Sequence, residues 1–176
     1  MTRGIGPGFL AGMKPTRFLP ALALAVAACA DSIAPLPDEG RPEALEFSMG
    51  GYFGASTKVV LVGDTVVYTI SYPWAPAMPA VIDTVRAVPS AESWQAFWNA
   101  MDRSGVNRWR GPYVAERIAD GLGWELTLRT GGRTIHSSGT NAYPDHRGRE
   151  HEGESTEEWK GAVDAILTLV GMRYGS

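Results

Sequence analysis

Alternating hydrophobic and polar side chains predict a β-hairpin in the second quarter of the chain. Residues 58–62 (KVVLV) and 65–72 (TVVYTISY) are rich in β-branched residues and are separated only by Gly63-Asp64. Two such runs around a two-residue turn containing glycine are a strong hairpin signal. Residues 47–54 predict a first short strand or a glycine-rich edge, and residues 81–88 predict a further strand.

After the predicted strand at residues 81–88, apolar residues recur with helical spacing and predict an α-helix over residues 91–103. Its apolar side chains stand at i, i+3, i+4 and i+7, which are Trp94, Phe97, Trp98 and Met101. Ser90 is suited to cap the N-terminus and Gly105 to end the helix in the left-handed conformation. The helix therefore presents an aromatic face that can cover a sheet.

A second hairpin is predicted by residues 124–130 and 133–138, which flank Gly131-Gly132. Trp124, Leu126 and Leu128 alternate with polar residues, so this strand has one dry face and one wet face. A long polar loop is expected over residues 139–153.

The last helix is expected to begin near Ser155, which has capping-box spacing to Glu158, and to run to Gly171. A serine precedes a tryptophan by four residues in both predicted helices (Ser90 to Trp94, Ser155 to Trp159). Either a duplication or the shared logic of helix capping accounts for this likeness.

The predicted order of elements is β-β-β-α-β-β-α. This order favours an α+β fold, with an antiparallel sheet of about five strands and two helices packed on one of its faces.

The N-terminal segment has the layout of a secretory signal. Lys14 and Arg17 precede an uncharged run, residues 18–29, which is too short to span a bilayer as a helix. The four residues Val26-Ala27-Ala28-Cys29 resemble the lipobox of bacterial lipoproteins. Residues 1–28 are therefore expected to be a signal peptide, with Met13 an alternative start to Met1. Ordinary cleavage after Ala30 is the competing interpretation.

The resemblance implies that Cys29, the only cysteine, becomes a lipidated N-terminus. It implies a lipoprotein anchored to the membrane of the cell envelope and facing the periplasm. Ala30 and not aspartate follows the cysteine, which by the same resemblance favours the outer membrane over the inner one. Residues 29–46 are expected to be the lipidated N-terminus and a proline-rich tether, and residues 47–176 a single α+β domain.

The net charge and the absence of known motifs exclude several classes of function. Removal of residues 1–28 leaves 13 basic and 19 acidic residues, a formal charge of −6, which disfavours a nucleic acid partner. The sequence has no phosphate-binding glycine loop, no dinucleotide fingerprint, no GxSxG and no CxxC. No cofactor is expected, and no catalytic residue is assigned.

Three segments are candidates for binding. Arg108-Trp109-Arg110 with Tyr113 combines the residue types that dominate binding hot spots, and it suits carboxylates, sugars or a protein. Trp74 stands among prolines. Asn141 and Tyr143 belong to a turn-forming stretch, residues 139–144, that is similar to patterns in small uncharacterised bacterial lipoproteins. Core packing and a structural turn are the competing interpretations.

The histidines are weak candidates for a metal site. His146 and His151 lie near each other in an acidic loop, and His136 lies one hairpin away. His151 begins a motif like HExxH, but Ser155 stands where the second histidine would be needed, so a zinc-protease helix is excluded. A solvated loop is the favoured interpretation, and no metal is expected.

These observations predict a non-catalytic lipoprotein that binds an envelope protein or glycan, or that holds an assembly together. Two alternatives stay open. One is an inhibitor-like module against a secreted hydrolase, with residues 139–153 or 73–79 as the blocking loop. The other is a metal-dependent hydrolase around the three histidines.

Overall fold

The computed structural model describes residues 1, 35–51, 54–72, 83–118 and 120–175. Residues 2–28 of the predicted signal peptide, Cys29, Trp74 and the rest of the candidate blocking loop at 73–79 lie outside these residues. None of the helices in the described ranges is long and apolar enough to cross a membrane.

A seven-stranded sheet forms the centre of the fold, in the order β4-β3-β2-β1-β6-β7-β5. Neighbouring strands are antiparallel except β5 and β7, which run parallel. The strands are β1 (Ala44–Gly51), β2 (Ser56–Val62), β3 (Thr65–Ser71), β4 (Asp83–Ala87), β5 (Tyr113–Val114), β6 (Leu122–Thr130) and β7 (Arg133–Thr140). A small second sheet pairs β8 (Ala142–Pro144) with β9 (Glu150–Glu152). The helices are α1 (Ala91–Arg103), a 3₁₀ turn (Val106–Arg108) and α2 (Glu157–Thr168).

The α+β class is confirmed, whereas the predicted five strands and their order were wrong in detail. β1 is not an edge but the central strand, since it pairs with β2 on one side and β6 on the other. It thereby joins the two predicted hairpins into one sheet. The strands β5, β8 and β9 have only two or three residues each, too few to show an alternating pattern.

Both predicted hairpins form with the expected turns. Gly63 has a φ of 66°, and Gly131 and Gly132 have φ values of 56° and 69°. A positive φ at both central residues, as at Gly131-Gly132, or at the first one alone, as at Gly63, gives a two-residue turn that matches the twist of the strands.

The caps of the two helices differ in how well the sequence predicted them. The Ser90 side chain accepts a hydrogen bond from Ser93 N, and Gly105 is left-handed with a φ of 69°, as expected. Thr156, not Ser155, caps α2, since its hydroxyl accepts from Trp159 N. The predicted cap at Ser155 was therefore wrong by one residue.

One face of the sheet carries the core. Inward-pointing side chains such as Phe47, Val59 and Leu126 are buried, and so are the apolar faces of α1 and α2, which belong to the same cluster. The other face carries polar residues, among them Lys58, Glu125 and His136. This amphipathic division is what the strand alternation predicts.

The packed chain begins before Phe47. Leu36 is buried in the core, and Trp98 Nε1 donates a hydrogen bond of 2.6 Å to Gly40 O. Arg41 Nη1 donates to Gly63 O, and β1 starts at Ala44. Residues 35–46, expected as part of a tether, thus pack on the domain.

Candidate functional site

Two candidate segments that are far apart in the sequence meet in the structure. The stretch from Asn107 to Tyr113 lies against the turn between β8 and β9, residues 145–149. Three hydrogen bonds join them: Arg108 Nη1 to His146 O at 3.4 Å, Trp109 Nε1 to Asp145 O at 3.2 Å, and Tyr113 OH to Gly148 O at 3.1 Å. The two segments form one surface.

Trp109 lies beneath this surface and holds its two segments together. Its side chain is only 2% exposed, and its ring packs edge-on against Trp124 with 6.0 Å between centroids. Trp109 therefore packs in the core and is not exposed for binding. Instead the buried ring fixes the positions of Arg108 and Arg110, which are exposed on either side of it.

Tyr113 is a second buried aromatic residue that connects the two segments. Its ring is 5% exposed and stacks on Trp124, and its hydroxyl accepts a hydrogen bond from Arg110 N at 3.0 Å. Burial raises the pKa of Tyr113 and outweighs the opposing effect of Arg110. The phenol thus stays neutral and acts as a structural bridge between the two segments.

The turn itself is built on the carboxylate of Asp145, which is 5% exposed. Its Oδ1 accepts from Arg147 N at 2.8 Å and from Arg149 N at 2.9 Å, and its Oδ2 accepts from Arg149 Nε at 2.8 Å. Burial alone would raise the pKa of Asp145, but these donors, with a weaker contact from His151, lower it well below its usual range. The turn is therefore rigid around an ionised aspartate.

We call Arg108, Arg110, Arg147 and Arg149 the arginine cluster. Arg149 is neutralised by Asp145, at 2.6 Å from Nη2 to Oδ2. The other three have no carboxylate within ion-pairing distance among the described residues. Arg110 donates to the carbonyls of Asn107 and Trp109, and Arg147 donates to the His146 ring.

The nearby acids are engaged elsewhere. Glu158 lies 3.2 Å from His146 Nδ1, and Glu150 accepts from Val114 N at 2.9 Å. The arginine cluster thus holds three guanidinium groups that no carboxylate of the described residues neutralises, on a frame fixed by buried hydrogen bonds. Planar guanidinium groups in such a setting suit bidentate recognition of carboxylate or phosphate.

Asn141 and Tyr143, the other candidate residues, are buried next to this frame. Asn141 has a φ of 52°, and its Oδ1 accepts from Leu122 N at 2.9 Å. The Tyr143 ring meets Trp159 edge-on at 4.9 Å, and burial raises its pKa. Both residues shape the turn, as the structural interpretation of this stretch expects.

The three histidines lie in separate surroundings. His136 is on the polar face beside Thr127 and Glu125, His146 contacts Glu158, and His151 contacts Asp145 at 3.5 Å. Within the ranges that the structure describes, no group of three or more potential ligands is arranged to hold a metal ion.

A groove of about 740 Å³ runs between α1 and α2. Its lining includes small residues (Ala96, Ala100, Gly161 and Ala165) and the acids Glu92, Glu157, Glu158 and Asp164. No candidate binding residue lies in it.

Asp145 gives the site a predicted pH dependence. A carboxylate whose pKa is lowered on folding stabilises the native state above its unfolded pKa of about 3.9, and that stabilisation disappears as the pH falls toward the folded value. We expect Asp145→Asn to lower the free energy of unfolding by roughly 2 kcal/mol at pH 7, since hydrogen bonds to a charged acceptor are lost. The difference should shrink below about pH 4.

Urea unfolding followed by circular dichroism at pH 7, 5 and 3 measures this effect. Asp64→Asn, in the exposed turn between β2 and β3, removes the same charge from outside the site. A difference between wild type and Asp145→Asn that does not change with pH would contradict the role assigned to Asp145.

The sequence missed Asp145, Arg147 and Arg149 as parts of the site. The basic residues of the stretch DHRGR (145–149) are visible in the sequence, but the contact of this stretch with residues 107–113 depends on the fold. No protein-family model, curated protein or solved structure matches this chain.

Proposed function

We propose that this chain is a lipid-anchored envelope protein whose domain binds an anionic partner through the arginine cluster, without catalysis. The proposal is supported by three guanidinium groups, on Arg108, Arg110 and Arg147, that have no carboxylate partner in the part of the chain that the structure describes and that stand on a hydrogen-bonded frame.

The charge of the domain supports this proposal. The expected mature chain has a formal charge of −6, so a local concentration of arginines runs against the average of the surface. A long-range attraction for anions in general is not expected from such a protein. Binding would instead depend on short-range contacts that match the geometry of the cluster.

The two alternatives receive less support. For an inhibitor-like module, the expected loop over residues 139–153 contains the end of β7 and the strands β8 and β9, so only shorter connections such as the turn at 145–149 are left as a loop. The other expected blocking loop, residues 73–79, lies outside the described residues. For a metal-dependent hydrolase, the three histidines would have to converge, and their contacts lie with different residues.

The anchor in this proposal rests on the lipobox resemblance at Cys29. The protein would face the periplasm, with the outer membrane favoured. Metabolic labelling with a palmitate analogue and detergent partitioning of wild type and Cys29→Ala test this part. Loss of both label and detergent-phase protein in the variant supports the anchor, whereas an unlabelled wild type rejects it.

Binding is tested on the full-length protein in detergent, with poly-L-glutamate as the multivalent probe. We expect Arg108→Gln/Arg110→Gln/Arg147→Gln to weaken binding at least tenfold, because exposed side chains are removed without disturbing Trp109 or Asp145. Wild-type binding should also weaken with added salt.

The matched control removes three exposed arginines from outside the cluster. It is the triple variant Arg86→Gln/Arg103→Gln/Arg117→Gln. Equal loss of binding in both triple variants would mean that only net charge matters, and it would reject the arginine cluster as the site.

A further inference from the structure

Strand β7 has an open outer edge. On its inner side it pairs with β6 along its whole length, Arg133–Thr140. On its outer side β5 pairs only with Gly139 and Thr140. Across the ranges that the structure describes, no strand covers the outer side of residues 134–138.

The register shows which backbone groups point outward. Thr130 and Arg133 flank a two-residue turn, so they form a hydrogen-bonded pair in which both residues face each other across the hairpin. Alternation then turns the N–H and C=O of Thr134, His136 and Ser138 away from β6. Thr140 follows the same alternation, and its carbonyl accepts from Ala115 N at 3.0 Å on this outer side.

Part of this edge is closed. A Cβ placed on Gly111 would lie 2.8 Å from Ser138 O, so the Gly111 backbone lies directly against Ser138. Thr134 and His136 are left with outward backbone groups that have no partner in the described chain. They can accept a short added strand.

One member of the arginine cluster, Arg110, adjoins the end of this open stretch. Arg110 immediately precedes Gly111, which closes the edge at Ser138. An extended segment paired with Thr134 and His136 would therefore run up to the exposed Arg110 side chain. The open edge thus adjoins the cluster through Arg110.

We propose that the partner is an extended acidic polypeptide segment, which adds as a strand to β7 at Thr134 and His136 and places its carboxylates on the arginine cluster. This inference rests on the proposed function, because it names the partner class of the same site. Backbone hydrogen bonds supply the pairing, and the arginines select for acidic side chains.

A second copy of this chain fits the edge less well. Antiparallel pairing of two β7 strands centred on His136 would set Arg133 of one copy opposite Gly139 of the other, where β5 already pairs with Gly139. A short acidic segment needs only the open positions at Thr134 and His136. The opposite edge of the sheet, β4, carries Asp83 and Arg86 on a strand of five residues, the kind of short charged edge that resists strand addition.

The test uses the full-length protein in detergent and, as probe, an acetylated and amidated hexapeptide of alternating glutamate and valine. We expect binding to slow hydrogen exchange at the amides of Thr134 and His136, measured by NMR. Arg110→Gln/Arg147→Gln should weaken binding at least tenfold, and Arg86→Gln should leave it unchanged.

The contribution of the edge is isolated by a pair of variants. His136→Pro removes an N–H that points away from β6, and His136→Ala removes the side chain but keeps that N–H. We expect the proline variant to bind at least fivefold more weakly than the alanine variant. The same peptide carrying N-methyl groups at alternate residues leaves the protein intact and should lose binding to wild type by a similar factor.

The outcomes separate the two proposals. If poly-L-glutamate binds at the cluster but the hexapeptide protects neither amide and tolerates N-methylation, strand addition is overturned and the proposed function stands. If neither probe binds, both are overturned. A dimer in sedimentation equilibrium that His136→Pro dissociates would overturn the acidic segment in favour of a second copy.

Discussion

Replacing Trp109 with alanine should lower the free energy of unfolding by about 3–5 kcal/mol, the range found when a large buried aromatic side chain is truncated. The ring is 2% exposed and contacts Trp124, and its Nε1 donates to Asp145 O. Truncation would leave a cavity between the sheet and the turn at 145–149. It would also remove one of the three hydrogen bonds that join that turn to the segment carrying Arg108 and Arg110.

Trp109→Phe is the matched control for this prediction. Phenylalanine keeps part of the packing and removes the donor to Asp145 O, which still accepts from Gly148 N at 2.9 Å. We therefore expect a loss of about 1–3 kcal/mol, below that of alanine, from one hydrogen bond and a smaller cavity. Urea unfolding followed by far-ultraviolet circular dichroism measures both variants, and a loss below 1 kcal/mol for Trp109→Ala would contradict the buried position.

The role of Trp109 illustrates where sequence inference failed. Two arginines flank it in an irregular segment, so no period indicated which side of the chain was buried. Residue type alone favoured a binding role. The neighbouring tryptophans at 94 and 98 could be assigned to the core because a helical period placed them on one face.

Local patterns also decided which parts of the fold could be predicted from the sequence. Hairpins around Gly63-Asp64 and Gly131-Gly132 were predictable because turn chemistry and strand alternation are both local. The central position of β1 was not predictable, since pairing with β2 and β6 depends on contacts across the chain. Its glycines, Gly50 and Gly51, also weakened the strand signal that Leu45 and Phe47 provide.

The arginine cluster, like the central position of β1, depends on contacts between residues that are distant in the sequence. Arg108 and Arg110 could be selected from the sequence, whereas Arg147 joins them only through the turn that Asp145 builds and Trp109 holds. A buried carboxylate that organises a loop has no sequence signature of its own, because most aspartates in polar segments are solvated. Geometry was needed to separate Asp145 from the other acids.

Asn141 should be the polar residue whose replacement destabilises the domain most. Its Oδ1 accepts from Leu122 N, and its backbone carbonyl accepts from Gly153 N at 2.6 Å. Its side chain also occupies the space where Gly121 would place a Cβ, 1.6 Å from Oδ1. Asn141 therefore ties the entry of β6 to the segment that leads into α2.

The left-handed backbone at Asn141 allows its two roles to be separated. Asn141→Gly keeps the φ of 52° without strain and loses only the side-chain hydrogen bonds, so we expect a loss of about 1–3 kcal/mol. Asn141→Ala loses the same bonds and adds left-handed strain of roughly 1–2 kcal/mol. The alanine variant should therefore unfold at lower urea than the glycine variant.

The order of the two variants carries the argument, because both lose the same side-chain hydrogen bonds. If alanine is as stable as glycine, position 141 is not held in the left-handed region in solution. If the glycine variant is as stable as wild type, the bond to Leu122 contributes nothing. If the predicted order is found, position 141 is held in the left-handed region in solution, and the turn after β7 has a fixed conformation without a ligand.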